Sequence, residues 1–521
     1  MSEPLGPYPD NPDAAAPADN LTAPTVSGLR WSYVASIGTA VIQLVYVAIM
    51  SRLLEPAVFG LMAIAHLAVQ FGFQFARMGV AQALIQKRDL VRDDVRAAFT
   101  ASVALGSAFF GVLWALAPFI AGLFSEPDVV PVLRASGLTF LIIAVATISQ
   151  ALLRRSLRFR ELAIIQLASY LLGYLGAGVG LALAGAGVWS LVGAFVGTWA
   201  LQWLMQYART RHSMRPLLSV KRFRSIYSFG ARVSLIRVME FLGKSIDTVA
   251  VGRYTTTALL GQYNRAFYLV QTPLYNGIAQ SLQTVLFPGF SRIQNDVARL
   301  KRAYLSVLGL GGLTMFPVCA GIAVAAQEIV AVVLGDGWDV VATIVPFLTL
   351  AYGCNLMSKF AELLCEARAE LNKVLTLQTS YLALLVALLV LAAGGPVWGF
   401  ALAVAVGEVI RHGTYLVLMR RVLAVRFAEV ARCYAPAALA ATAVAATISA
   451  GRHLLLAQEA PVVLVLVVEV ALGALSLGLC IRFNPMPEVR HELRRRLASA
   501  GVLDGGGGFS SRVATALVGR S

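Results

Sequence analysis

The chain has 521 residues, of which 58% are hydrophobic and 13% are charged, and its mean hydropathy is +0.74. A soluble protein carries about twice that share of charged residues, so the composition excludes an ordinary soluble domain. The formal net charge of +16 does not indicate nucleic-acid binding, because the basic residues lie in short gaps between apolar segments.

The N-terminal segment, residues 1–28, is rich in proline, alanine and aspartate. It lacks the basic and then apolar order of a secretory signal, so we expect a disordered cytoplasmic tail.

Fourteen apolar segments follow between Leu29 and Ile481. Each is long enough for one membrane-spanning helix, which needs roughly 20 residues. Because a bilayer offers no water to satisfy the backbone, we predict an all-α polytopic membrane protein with about 14 transmembrane helices. Their centres lie near Gly38, Leu67, Val112, Ala144, Gly173, Phe195, Met239, Leu269, Leu313, Leu350, Leu382, Val406, Ala443 and Val470.

Basic residues concentrate in every second gap between these segments. Those of the even-numbered gaps include Lys87, Arg88, Arg154, Arg155, Arg209, Arg211, Arg299, Lys301, Arg368, Lys373, Arg420 and Arg421. By the positive-inside rule, the even gaps and both termini are cytoplasmic, in the cell membrane. The external gaps are about a dozen residues or fewer and leave no room for an external catalytic domain.

A shift of 201 positions aligns two stretches of the chain without gaps. The matched pairs include Arg52 with Arg253, Ala57 with Ala258, Gly60 with Gly261 and Gln70 with Gln271. An even number of helices separates the stretches, so they form a parallel repeat, as in transporters that place a site between two lobes. The alternative is chance similarity between apolar helices.

The repeat predicts two six-helix lobes and two additional C-terminal helices. The lobes span residues 29–208 and 225–421, and a basic cytoplasmic linker at 209–224 joins them. That linker is either an amphipathic helix on the inner leaflet or a solvated loop. Helices 13 and 14 occupy 422–482, and a cytoplasmic tail at 483–521 follows.

The seventh segment is unusually charged for a membrane span, with Arg237, Glu240, Lys244 and Asp247. Spacings of three, four and three residues place these side chains on one helical face. They line a water-filled cavity, or they form a self-neutralising ladder that packs away from lipid.

Further intramembrane charges fall in the predicted C-terminal lobe. Arginine and lysine in a cavity suit an anionic ligand, since guanidinium pairs with phosphate oxygens. The candidate substrate-binding cations are Arg237, Lys244, Arg265, Lys359 and Arg411. The candidates for binding a coupling proton or sodium ion, unless they only neutralise the arginines, are Glu240, Asp247, Glu362 and Glu408. Glu469 stands alone in the fourteenth segment and receives no role.

Catalytic signatures are missing from the sequence. It contains no nucleotide-binding loop and no hydrolase or metalloprotease motif, so we expect neither enzymatic activity nor a cofactor. The five cysteines include no Cys-x-x-Cys pair, so no metal site is expected.

Several short motifs resemble those of the Wzx-type oligosaccharide flippases, in the polysaccharide-transport branch of the multidrug/oligosaccharidyl-lipid/polysaccharide (MOP) exporter superfamily. They are SRLLEPAVFG at 51–60, YSFG at 227–230, GQYNRA at 261–266, FPGFSR at 287–292 and GDGW at 335–338. The resemblance covers roughly Val26 to Arg482. Of the five cations, Arg265 alone lies inside one of these motifs.

The resemblance implies a V-shaped, two-lobe bundle without cofactors. It implies alternating-access transfer of polyprenyl-pyrophosphate-linked oligosaccharide from the cytoplasmic to the outer leaflet, for lipopolysaccharide or exopolysaccharide synthesis. Cavity cations would hold the pyrophosphate and sugar, and membrane lipids, a polysaccharide polymerase and glycosyltransferases would be its partners.

Other functions stay open at this point. A flippase for the lipid-linked peptidoglycan precursor shares the architecture. A drug/cation antiporter of the same superfamily would use central carboxylates in the N-terminal lobe, which has almost none. A membrane glycosyltransferase or polymerase would need a larger external loop, and a scaffold would leave the intramembrane charges unexplained.

Overall fold

The computed structural model describes residues 22–76, 84–85, 90–217, 230–271 and 280–482, which contain helices and no strand. The chain divides into two compact units, Met1–Asn264 and Arg265–Ser521. The fold class is therefore confirmed as all-α, while the lobe boundaries on either side of residues 209–224 stay a prediction.

Among the described residues of the first unit, eight helices are present in whole or in part. They are α1 (Thr22–Leu53), α2 (Pro56–Ala76), α3 (Arg92–Phe124), α4 (Val129–Arg155), α5 (Phe159–Leu183), α6 (Val188–Thr210), α7 (Gly230–Tyr254) and the first half of α8 (Thr257–Gln271). Its central helix is α4, which packs against α2, α3 and α6. A Cβ on Gly106 of α3 would lie 2.6 Å from that of Ala144, so glycine allows this close approach.

The described part of the second unit, up to residue 482, contains the rest of α8 and eight further helices. They are α9 (Gln280–Arg292), α10 (Val297–Val324), α11 (Ala326–Val333), α12 (Asp339–Ala367), α13 (Leu371–Ala392), α14 (Val397–Leu423), α15 (Phe427–Leu456) and α16 (Val462–Arg482). Here α10 packs along α15 and α12 packs along α14, while α16 packs against α15, α11 and α10.

Twelve helices in the described part of the chain are long and apolar enough to cross a membrane. Two predicted spans are not among them. Helix α7 has 25 residues, but its charged residues make it less apolar. The predicted eighth span corresponds to α8 and α9, between which residues 272–279 lie outside the description. The exact number of fourteen spans stays a prediction.

The α1–α2 and α7–α8 hairpins meet in a reciprocal contact inside the first unit. A Cβ on Gly60 would lie 1.9 Å from the carbonyl oxygen of Thr257, and a Cβ on Gly261 would lie 1.9 Å from that of Pro56. The 201-residue shift maps Pro56 onto Thr257 and Gly60 onto Gly261. In each case, the glycine of one repeat faces the carbonyl oxygen of the residue four positions before the equivalent glycine of the other repeat. The two hairpins are therefore related by a local two-fold axis.

The segment that follows α6 is hydrogen-bonded to residues near the start of α3 and near the end of α4. The Leu217 backbone N–H donates to Thr100 Oγ1 at 2.8 Å, and Arg96 Nε donates to the Arg215 carbonyl at 3.3 Å. His212 Nε2 lies 3.1 Å from Ser149 Oγ, and the histidine is only 4% exposed. The start of the predicted linker, residues 211–217, is thus a strap held on unit 1.

We expect acid to loosen this strap. Burial lowers the pKa of His212 below its usual 6.5, and the hydrogen bond to the Ser213 carbonyl partly opposes that shift. The fold therefore favours the neutral ring. Its contribution to stability is fully present above pH 6.5 and is lost as the pH falls below that value. Hydrogen exchange of residues 211–217 should accelerate on acidification in the wild type.

The control variants separate this histidine from general acid effects. His212→Gln should remove most of the pH response of the strap, whereas His453→Gln, at an exposed position of α15, should keep it. An unchanged pH response in His212→Gln would contradict the assignment.

Candidate functional site

Four charged side chains of α12 and α14 form one buried group in the second unit, which we call the α12–α14 cluster: Lys359, Glu362, Glu408 and Arg411. Arg411 Nη1 lies 3.2 Å from Glu408 Oε1, and its Nη2 lies 3.5 Å from Glu362 Oε2. Lys359 Nζ lies 2.7 Å from Glu362 Oε1. Two cations and two carboxylates give the cluster a formal charge of zero.

Helical spacing explains how each helix supplies one cation and one anion. Lys359 and Glu362 are three residues apart on α12, and Glu408 and Arg411 are three apart on α14, so each pair shares a helical face. The two faces meet through Arg411, which is 7% exposed. Because ionised groups in a bilayer need partners, this packing keeps all four charges compensated.

Neutral side chains complete the surroundings of Glu408. Tyr381 of α13 donates its hydroxyl hydrogen bond to Glu408 Oε1 at 2.8 Å, and Asn355 Nδ2 donates to the same oxygen at 3.0 Å. The Arg411 guanidinium carbon lies 4.9 Å from the Tyr381 ring centre and 5.8 Å from that of Tyr415, within cation–π range.

The sequence interpretation missed these three neutral residues. Asn355 lies one turn before Lys359 on α12, and Tyr415 lies one turn after Arg411 on α14, so spacing from the charges would have found both. Tyr381 is on a different helix, and no pattern in α13 marks it.

Loss of the Tyr381 hydroxyl should weaken the cluster. Tyr381→Phe removes a hydrogen bond to a charged acceptor, which we expect to cost about 1.5–3 kcal/mol of stability. Thermal unfolding of the purified protein in detergent measures this. Tyr254→Phe, at a position about half exposed, is the control and should unfold like the wild type. Equal stabilities of both variants would mean that the hydroxyl contributes nothing.

A second set of hydrogen bonds joins α12, α14 and α15 through His412 of α14. Its Nδ1 lies 3.3 Å from Ser358 Oγ, and its Nε2 lies 3.0 Å from the hydroxyl of Tyr434. The polar side chains of α12 and α14 are therefore joined to α15 on one side and to α13 on the other.

The remaining predicted site residues belong to α7 and α8. Asp247 of α7 is 5% exposed and accepts hydrogen bonds from the Tyr263 hydroxyl at 2.8 Å and the Thr248 backbone N–H at 2.7 Å. Lys244 is exposed. Arg265 is 9% exposed, with its guanidinium carbon 5.3 Å from the Tyr268 ring centre.

Two predicted residues of α7 cannot be placed in this way. The side chains of Arg237 and Glu240 lie outside the described residues, so the choice between a cavity lining and a neutral ladder on α7 stays open. Asp247 itself accepts from Tyr263 of the next helix and from its own neighbour Thr248.

The two cations of the α12–α14 cluster could exchange their carboxylate partners for the oxygens of an anionic ligand. Its guanidinium and ammonium groups are the donors that bind phosphate oxygens, but carboxylates occupy them in this structure. Protonation of a carboxylate would free a cation for an anionic ligand. Within the described ranges, no group of His, Cys, Asp and Glu has the arrangement of a metal site.

A sequence profile for the family described as "Polysaccharide biosynthesis protein" matches residues 49–343, more than half of the chain. The "Lipopolysaccharide biosynthesis protein WzxC" of Escherichia coli (strain K12) is 23% identical over 360 residues, which are 68% of this chain and 72% of that protein. The "Succinoglycan biosynthesis transport protein ExoT" of Rhizobium meliloti (strain 1021) is 26% identical over 334 residues, 64% of this chain and 67% of that protein.

Similar folds are found among solved transporter structures. The lipid II flippase MurJ, in an inward closed conformation, has a TM-score of 0.70 at 12% identity. The matched region covers 87% of this chain and 98% of the MurJ chain. An inward-facing multidrug resistance transporter of the MATE family has a TM-score of 0.52 at 16% identity. The matched region covers 76% of this chain and 94% of the transporter chain. At these identities the likeness concerns the fold alone.

Proposed function

The chain belongs to the polysaccharide biosynthesis protein family, and from this membership we propose that it is a flippase for polyprenyl-pyrophosphate-linked oligosaccharide. The fold is that of MOP-type membrane transporters, and curated relatives are transport and biosynthesis proteins of cell-surface polysaccharides. The buried α12–α14 cluster carries the proposal, because it holds two cations suited to pyrophosphate where a bilayer normally excludes charge.

The proposed transfer runs from the cytoplasmic to the outer leaflet by alternating access, with both termini in the cytoplasm. The basic even-numbered gaps support this orientation. The polyprenyl tail stays in the lipid during transfer. A polymerase and glycosyltransferases that act on the same lipid-linked sugar are the proposed partners.

Arg411 and Lys359 are the proposed pyrophosphate contacts with the best-described surroundings. In this structure Glu362 and Glu408 accept from these two cations. The substrate's phosphates would replace one or both carboxylates, which then take up protons or a sodium ion. Uptake and release of that ion would couple substrate binding to a gradient. Arg237, Lys244 and Arg265 are proposed as further cationic contacts, and Glu240 and Asp247 as further ion-binding groups.

Two alternatives share this fold. The likeness to MurJ keeps a lipid-linked peptidoglycan precursor as the second candidate substrate. A drug/cation antiporter is the third candidate. Such an antiporter binds cations in its cavity, which requires carboxylates that are not already paired with arginine or lysine. In the α12–α14 cluster both carboxylates are paired with cations, which favours the flippase.

Reconstitution tests the proposed substrate. Proteoliposomes containing the protein should move a fluorescent polyprenyl-pyrophosphate oligosaccharide between leaflets. A lipid-linked peptidoglycan precursor and a cationic dye should move poorly in the same vesicles. Transfer of the precursor alone would favour the second candidate, and uptake of the dye alone would favour the antiporter.

A further inference from the structure

Helix α16 carries a carboxylic acid on its buried face. Glu469 is 1% exposed and lies in a helix that is otherwise apolar up to Arg482. Val465 and Ser476 are buried on the same face, one turn before and two turns after it. Its position, about 10 Å along the helix from Val462, is well inside the hydrocarbon layer of a spanning helix.

Neither carboxyl oxygen of Glu469 has a hydrogen-bond partner among the described residues. A buried ionised carboxylate without donors is strongly unfavourable, because desolvation is not repaid. A protonated carboxyl avoids most of that penalty. The surroundings of Glu469 therefore fit a carboxyl that binds a proton.

The two helices α11 and α15, which pack against α16, carry a second carboxylate and one cation. Arg452 Nε of α15 is 2.8 Å from Glu328 Oε1 of α11, and the same arginine donates to the Gln327 side chain. Glu328 is 5% exposed, and its second oxygen has no partner among the described residues.

The remaining neighbours of α16 add no competing charge. Helix α10 has no charged residue after Arg302, and His453, beside Arg452, is exposed. Arg452 keeps a quarter of its side chain at the protein surface. It lies near the end of α15 that the positive-inside pattern places outside. The Glu328–Arg452 pair thus stands between Glu469 and the outer surface.

We propose that Glu469 binds a proton from the outer solution, passing the Glu328–Arg452 pair, and that this proton contributes to driving the transport cycle beside the ion proposed for the α12–α14 cluster. Uptake converts the carboxylate to a neutral carboxyl, and release leaves a carboxylate that competes with Glu328 for Arg452. Proton binding stands on the contacts above, whereas the coupling rests on the proposed flippase function. The site lies outside the predicted repeat and apart from the α12–α14 cluster.

Infrared difference spectroscopy tests proton binding without any transport. Spectra of the lipid-embedded full chain between neutral and alkaline buffer should show loss of one protonated-carboxyl C=O band. Glu469→Gln, which has nearly the shape of the neutral acid, should lack that band. Glu459→Gln, at an exposed position in the same hairpin, should keep it. A band that persists unchanged in Glu469→Gln would overturn the site.

Transport measurements test the coupling. Flipping by wild-type proteoliposomes should accelerate several-fold when the compartment facing the outer side is made acidic, and Glu469→Gln should lose most of that acceleration. A wild type that flips equally with and without the gradient would overturn the coupling and leave the flippase function standing. If the wild type flips no lipid, the proposed function fails, and the infrared result still decides the proton site.

Discussion

Replacing Arg411 by glutamine should abolish flipping and cost about 3–5 kcal/mol of stability, because it leaves the Glu362 and Glu408 carboxylates buried beside one cation. This is the largest effect that we expect from a single charged residue. Thermal unfolding in detergent measures the stability, and transfer of the fluorescent lipid in proteoliposomes measures the function.

A double variant separates the structural role of Arg411 from its proposed binding role. Adding Glu408→Gln to Arg411→Gln restores the charge balance and should recover much of the stability. Flipping should stay absent, because the guanidinium is still missing. A double variant that flips normally would show that the cluster only neutralises itself. Arg421→Gln, exposed at the end of α14, should resemble the wild type in both measurements.

Adding one methyl group at Gly60 or Gly261 should destabilise the protein by about 1–3 kcal/mol, as overpacking of a tight contact does. The new Cβ would lie 1.9 Å from a backbone carbonyl oxygen in either case, and such an oxygen cannot rotate away. The α1–α2 and α7–α8 hairpins must therefore separate. Thermal unfolding of Gly60→Ala and Gly261→Ala measures the cost.

Whether a glycine-to-alanine substitution lowers or raises stability distinguishes this tight contact from ordinary helix propensity. Gly111→Ala, where a Cβ would meet nothing within 4 Å, should stabilise α3 by about 0.5–1 kcal/mol. The double variant Gly60→Ala/Gly261→Ala should cost less than the sum of the single ones, because one separation relieves both clashes. Additive costs would argue against a single shared crossing.

Features that depend only on the order of residues along a single helix were predictable from the sequence. Apolar length predicted the helices. The spacing of three residues between Glu408 and Arg411 is also visible in the sequence, although the sequence interpretation did not use it to pair them on α14. The matched glycines of the 201-residue shift also proved to be neighbours, although the alignment alone could not show that they meet.

Contacts between helices were not predictable in the same way. The rotation of α12 against α14 decides that Arg411 reaches Glu362, and no local pattern encodes that angle. Tyr263 and Tyr381 are grouped with the hydrophobic residues in the composition, although each donates a hydrogen bond to a buried carboxylate. Glu469 received no role because both of its charged neighbours come from other helices.

The pairing inside each helix of the α12–α14 cluster also bears on how the protein is made. Lys359 and Glu362 reach the membrane on one helix, and Glu408 and Arg411 reach it on another. Each segment therefore brings its own counter-ion to the translocon, and the insertion cost of its charges is reduced before the two helices have met. Lateral insertion can then proceed helix by helix, and the Arg411–Glu362 pair forms afterwards, when the bundle assembles.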